Sequence, residues 1–339
     1  MTKTSTPVTA AAAAQGPHKA TPWQLVDRIS VVLYFAALLV VFAVFAPKAF
    51  TPGTAVTVIQ LSIPLVVIAT GMTFCLVCGE VDLSVGGIAG LSSTIAALQM
   101  SNGMPWPFAV ALALLVSTVL GMLNGIFTAW LVGSFPRFPS FLVTLAMLSV
   151  SVGVAQAIQP MQQAIAIQNV GFQSAFGFGS SILGSYPTWY AIAVLIVAHL
   201  VLTRTHFGYT IFAIGSNPRA AEFIGFGIVR TKFWVLTVSG FLSGVGGILL
   251  AGFVQAGYFA VAKGTEVDAI AAAVIGGTAL FGGRGTVFGT LWGVLVLGVL
   301  NTGLLIMQVP TNWQLVTKGF LVILALAVGE QIRQRAYKT

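Results

Sequence analysis

The chain has 339 residues, of which 57% are hydrophobic and 6% charged, where soluble domains carry roughly 25% charged residues; a soluble protein is excluded. The net charge of +8 could point to nucleic acid, but the basic residues are scattered along the chain rather than gathered on one element, so no nucleic-acid partner is read.

Residues 1–22, MTKTSTPVTAAAAAQGPHKATP, lack the apolar core of a signal peptide and read as a disordered cytoplasmic tail. Residues 23–339 read as a single transmembrane domain. A span needs about 20 predominantly apolar residues, and spans are predicted near 29–46, 55–78, 84–101, 106–132, 139–158, 187–203, 231–253, 267–281, 286–307 and 311–329. The expectation is an all-α polytopic membrane protein of about ten helices with both termini on one side. That threading puts Lys3, Lys19, Arg28, Arg137, Arg204, Arg219, Arg230, Lys232, Arg284, Arg333, Arg335 and Lys338 on one face, and Lys48, Lys263 and Lys318 elsewhere. The basic-rich face is then cytoplasmic.

Along the chain, Cys75 and Cys78 form a C-x-x-C inside an apolar span; zinc wants four ligands, so these read as buried apolar cysteines. Gly79-Glu80-Val81-Asp82-Leu83-Ser84-Val85-Gly86-Gly87 follows. Its acids are either a hydrated helix end, with Asp82 placed to cap and Ser84 beside it, or groups for proton relay or substrate contact. Asn124, Gln156, Asn301 and Lys318 are the main polar groups of the spans, and Lys318 can snorkel or meet a backbone carbonyl. The uncharged outer loop at about 159–187 is either a cover for helix ends or a receptor for a partner. A second glycine-rich segment, Gly276 to Gly285, reads as a tight cytoplasmic turn. The two glycine motifs suggest two related halves, spans 2–5 and 7–10, inverted relative to each other.

The stretch Ala213 to Gly227, AIGSNPRAAEFIGFG, is a short helix of soluble character between apolar segments. Asn217 can cap it, Pro218 suits its first position, and Gly225 and Gly227 stop it. Arg219 and Glu222 stand beside Ala220, Ala221, Phe223 and Ile224. No G-x-x-x-x-G-K-[ST] loop occurs, so the chain does not cradle nucleotide phosphates in that way. No catalytic constellation is visible either.

Four motifs resemble one family. The Gly79 to Gly86 run, Ala213-Ile214-Gly215-Ser216-Asn217 with Ala220, Ala221 and Gly225, the Val274 to Gly285 segment, and Trp313-Gln314-Leu315-Val316 with Lys318-Gly319 are similar to permease subunits of ribose-type monosaccharide ABC importers. Many members read Gly-Ile where Glu80-Val81 stand here. The resemblance implies a multi-pass protein of the bacterial plasma membrane that passes a neutral sugar or polyol inward by alternating access. It implies a second permease copy or paralogue, an ATPase with two nucleotide-binding cassettes, and a periplasmic or lipid-anchored sugar-binding protein. ATP and Mg2+ would sit on the ATPase, with no cofactor or metal in this chain. A coupling helix at about 217–225 would dock on the ATPase through Gly215, Asn217, Arg219, Ala220, Ala221, Glu222 and Gly225. Glu80, Asp82, Ser84, Asn124 and Asn301 are candidates for the pathway or its gate. The alternative is a self-sufficient secondary carrier or channel for a small polar solute.

Overall fold

The computed structural model describes residues 22–45, 51–134, 140–159, 163–179 and 181–336; the expected tail lies outside the described residues, apart from its last one. Thirteen helices are described: α1 (Pro22–Phe45), α2 (Pro52–Val77), α3 (Val85–Ser101), α4 (Trp106–Ser134), α5 (Phe141–Ile158), α6 (Val170–Phe176), α7 (Tyr186–Arg204), α8 (His206–Ser216), α9 (Pro218–Phe223), α10 (Ile228–Val254), α11 (Thr265–Ile275), α12 (Val287–Ile306) and α13 (Thr311–Ala336). Two short strands, β1 (Ile165–Ala166) and β2 (Ala256–Gly257), pair antiparallel.

Six helices, α2, α4, α5, α7, α10 and α12, are long and apolar enough to cross a membrane. In lipid an unpaired backbone group costs several kcal/mol, so a helix, which pairs its own, is the form such apolar runs take. Burial sorts these helices. The apolar windows of α2 and α10 are 61% and 67% buried, against 28% for α5, so α2 and α10 form the centre and α5 presents most of its surface outward.

Small residues set the central contacts. Gly71 of α2 lies against Ser239 and Leu242 of α10, and Gly121 of α4 meets Gly240 of α10 with no room for a Cβ on either side. Backbones this close gain van der Waals contact that larger residues would prevent. α12 packs on the other side of α2.

The eleven residues of α11 rise about 16 Å at 1.5 Å each, roughly half of the ~30 Å hydrocarbon layer. The continuous span expected near 267–281 is therefore interrupted: α11 ends at Ile275, and Gly277 takes φ +88° in the turn that follows. The outer loop also has structure of its own. β1 pairs with β2, α6 buries Phe172 completely, and Gln159 accepts from Phe259 N at 2.9 Å.

Candidate functional site

The sequence places Glu80 and Asp82 where α2 stops. Gly79 takes φ +81°, a conformation that costs glycine little, and the chain turns back into the bundle as an extended link before α3. The link is gripped along its length. Thr144 of α5 accepts from Leu83 N at 3.1 Å and lies 3.1 Å from Val81 O.

Asp82 is fully buried, and neither it nor Glu80, 3% exposed, is the hydrated helix end that was one reading of the sequence. Oδ1 of Asp82 accepts from Ser84 N at 2.9 Å and from Ser84 Oγ, while Oδ2 accepts from Ser239 Oγ of α10 at 2.7 Å. The bond to Ser84 N satisfies a backbone donor just ahead of α3, so Asp82 does serve the start of that helix. Asn124 of α4 donates from Nδ2 to Ser84 Oγ at 2.8 Å. Asn124 stands ten residues before Ser134, where α4 ends, which is about 15 Å along the axis. The cluster thus lies inside the bundle. Asn124 Oδ1 is buried without a partner among the described residues, and the bonds of the other groups hold neighbouring elements in one arrangement.

Glu80 is held differently. One carboxylate oxygen pairs with Lys232 Nζ of α10 and the other accepts from Ser140 Oγ, at the N-cap of α5. A buried carboxylate needs such partners to offset its lost hydration.

The second glycine-rich segment meets the first. Gly283 N donates to Val77 O at 2.9 Å, closing the turn onto the end of α2. Gly282 and Gly283 have φ of +93° and +76°, as the tight-turn reading requires. Gly215, at the end of α8, fills the remaining gap: a Cβ there would fall on Val77 O and Gly283 N. Three separate sequence motifs therefore converge on one end of the bundle.

α9 projects from this end. Asn217 Oδ1 accepts from Ala220 N at 3.1 Å, Pro218 occupies the first turn, and Gly225 has φ +90°, matching the start and stop signals of the sequence. Arg219, Ala220 and Glu222 are exposed, whereas Ala221 is 2% exposed and packs into the chain's own core. The exposed apolar residues are Phe223 at 91% and Ile224 at 70%.

Asn301 stands apart from the other candidates. It lines a cavity of about 170 Å³ with Ser62, Thr265 and Asp268, and its Oδ1 is buried. Lys318 neither snorkels nor meets a carbonyl: its Nζ lies 3.0 Å from Asp268 Oδ2. Cys75 and Cys78 are buried free thiols, in keeping with the apolar reading. Sequence reasoning passed over Ser140, Lys232, Ser239 and Asp268 as partners. A serine at the N-cap of an apolar helix, as Ser140 is, or about three turns into one, as Ser239 is, carries no local signal that a carboxylate will reach it.

Comparison with known proteins accords with this architecture. The family described as branched-chain amino acid transport system / permease component matches residues 54–326. The ribose import permease protein of Haemophilus influenzae is 31% identical over 86% of this chain and 90% of its own length. The L-arabinose ABC transporter permease protein of Azospirillum brasilense is 32% identical over 92% of this chain and 90% of its own, and the xylose transport system permease protein of Escherichia coli is 30% identical over 80% and 83%. No solved structure matches the chain. With six apolar helices of spanning length and a family match from α2 into α13, this multi-pass membrane protein belongs to the branched-chain amino acid transport system / permease component family.

Proposed function

We propose that the chain is the membrane subunit of an ATP-driven importer, that its solute is a monosaccharide or related neutral polyol, and that α9 docks on the ATPase that powers it. The observation that carries this reading is the pair Phe223 and Ile224, 91% and 70% exposed on a capped helix at the basic end of the bundle. Large apolar side chains presented there fit a protein partner. Ala220, Arg219 and Glu222 complete the docking face, Asn217 and Gly225 fix its ends, and Gly215 and Ala221 seat the helix on the bundle. The sugar class rests on the relatives, whose names specify ribose, L-arabinose and xylose import or transport.

In this reading residues 23–339 are one domain behind a tail of residues 1–22, and both termini are cytoplasmic. The chain crosses the membrane ten times, two of the crossings made by the short helices α3 and α11 together with the links around them. Inverted halves are supported by the packing: α3 and α4 lie on α10 as α11 and α12 lie on α2. Two permease copies would form the channel, a sugar-binding protein would deliver the solute to the face opposite α9, and ATP with Mg2+ would bind the ATPase. Cassette closure then displaces α9, and the bundle changes which face it opens. Each state must bind a partner differently for the cycle to run.

Reconstitution tests this directly. The chain is placed in proteoliposomes alone, or with its co-purifying ATPase, its binding protein and Mg2+-ATP, and uptake of labelled D-ribose, L-arabinose and D-xylose is measured. The importer reading predicts uptake of at least one of them by the complete set alone. Equal uptake by the polypeptide alone would establish the self-sufficient carrier instead.

A further inference from the structure

Glu80 and Lys232 form an ion pair in the interior of the basic end of the bundle. Glu80 is 3% exposed and Lys232 20%. Replacing such a pair by packed apolar residues is often neutral or stabilising, whereas removing one partner is costly. A packed apolar pair could fill the same place. The position of the ion pair has more to say. α9 passes through Ile224, Gly225, Phe226 and Gly227 straight into α10, and Phe226 N donates back to Ala221 O at 3.0 Å, so the joint is short and tied. Lys232 stands on the second turn of α10. Glu80 stands on the link that continues, two residues later, to Asp82 and its bonds to Ser239, Ser84 and Asn124.

We infer that Glu80 and Lys232 are coupling residues: the pair transmits displacement of α9, through the first turns of α10, to the link before α3, and so sets the position of the buried Asp82 cluster. This rests on the importer reading of α9. The other contacts at this end, Gly215 against Val77, Gly282 against Gly79 and the bond from Gly283 N to Val77 O, reach the end of α2 and Gly79, ahead of Glu80. An ion pair in a low-dielectric setting resists separation far more strongly than the same charges in water. Glu80 N donates to Cys75 O at 2.9 Å, and past it the link is held by Thr144 at Val81 and Leu83 and by the side chains of Glu80 and Asp82. Glu80 and Lys232 touch neither nucleotide nor solute in this account; they act by positioning.

The experiment uses the reconstituted importer with its co-purifying ATPase and binding protein, and reads sugar taken up per ATP hydrolysed. If the wild-type assembly shows no ATP-driven uptake, the importer reading itself fails, independently of any variant. Given wild-type uptake, Glu80→Gln and Lys232→Met singly should lower the ratio on the order of tenfold, the scale of an ordinary coupling energy, while hydrolysis continues. The exchange Glu80→Lys with Lys232→Glu should recover much of the ratio. Because a single variant leaves one charge buried alone and can fail to fold, the neutral double variant Glu80→Gln with Lys232→Met decides. It leaves no lone charge, so it should assemble and still transport poorly per ATP. A double variant with the wild-type ratio would overturn the inference, and so would one that fails to assemble, since the pair would then serve only the fold.

Discussion

Helices α3 and α11 begin alike and are held differently. Each follows a non-helical link and has acids at its start, Asp82 ahead of α3 and Glu266 and Asp268 in the first turn of α11, where a helix dipole favours negative charge. The α3 start is sealed: Asp82, Ser84, Asn124 and Ser239 are all fully buried, and each is bonded to another of the four. The α11 start is open by comparison, with the Asp268–Lys318 pair 25% and 23% exposed beside a cavity that Asp268 and Asn301 line. One start is tied to α4 and α10 by buried bonds. The other borders a cavity.

Substitutions at the two starts should separate accordingly. Asp82→Ala removes the acceptor of Ser84 N, Ser84 Oγ and Ser239 Oγ at once, and stranded buried donors cost about 1–3 kcal/mol each. Thermal unfolding in detergent should show a large drop or no folded protein, while Asp82→Asn, which keeps an acceptor, should lose visibly less. If both variants melt like the wild type, the sealed network does not hold α3. At the other start, Lys318→Met should cost no more than about 1 kcal/mol, because a pair this exposed is screened by water. A loss as great as that of Asp82→Ala would erase the distinction between the two starts.

Much of this architecture is written locally in the sequence. The apolar runs locate the long helices, since each run is one helix, and Asn217, Pro218 and Gly225 mark both ends of α9 within a few residues. What the sequence hides is partnership at distance. Glu80 and Asp82 pass for hydrated groups because the residues that allow their burial, Ser140, Lys232 and Ser239, lie on α5 and α10. The direction of a single alanine is hidden too: Ala221 and Ala220 are neighbours, yet one is core and the other surface. The two glycine motifs look equivalent along the chain, but one precedes α3 and the other follows α11, so they do not stand in equivalent places relative to the helices beside them. They are instead partners, joined at Val77 and Gly283.

In the proposed importer α9 is the helix that docks on the ATPase. The most direct measurement is co-purification of the ATPase with Phe223→Asp plus Ile224→Asp, set beside the thermal stability of the permease alone. Both side chains are exposed in the chain, so stability should stay within about 0.5 kcal/mol of wild type while the ATPase is lost from the complex. Full retention of the ATPase by a stably folded double variant would contradict the account.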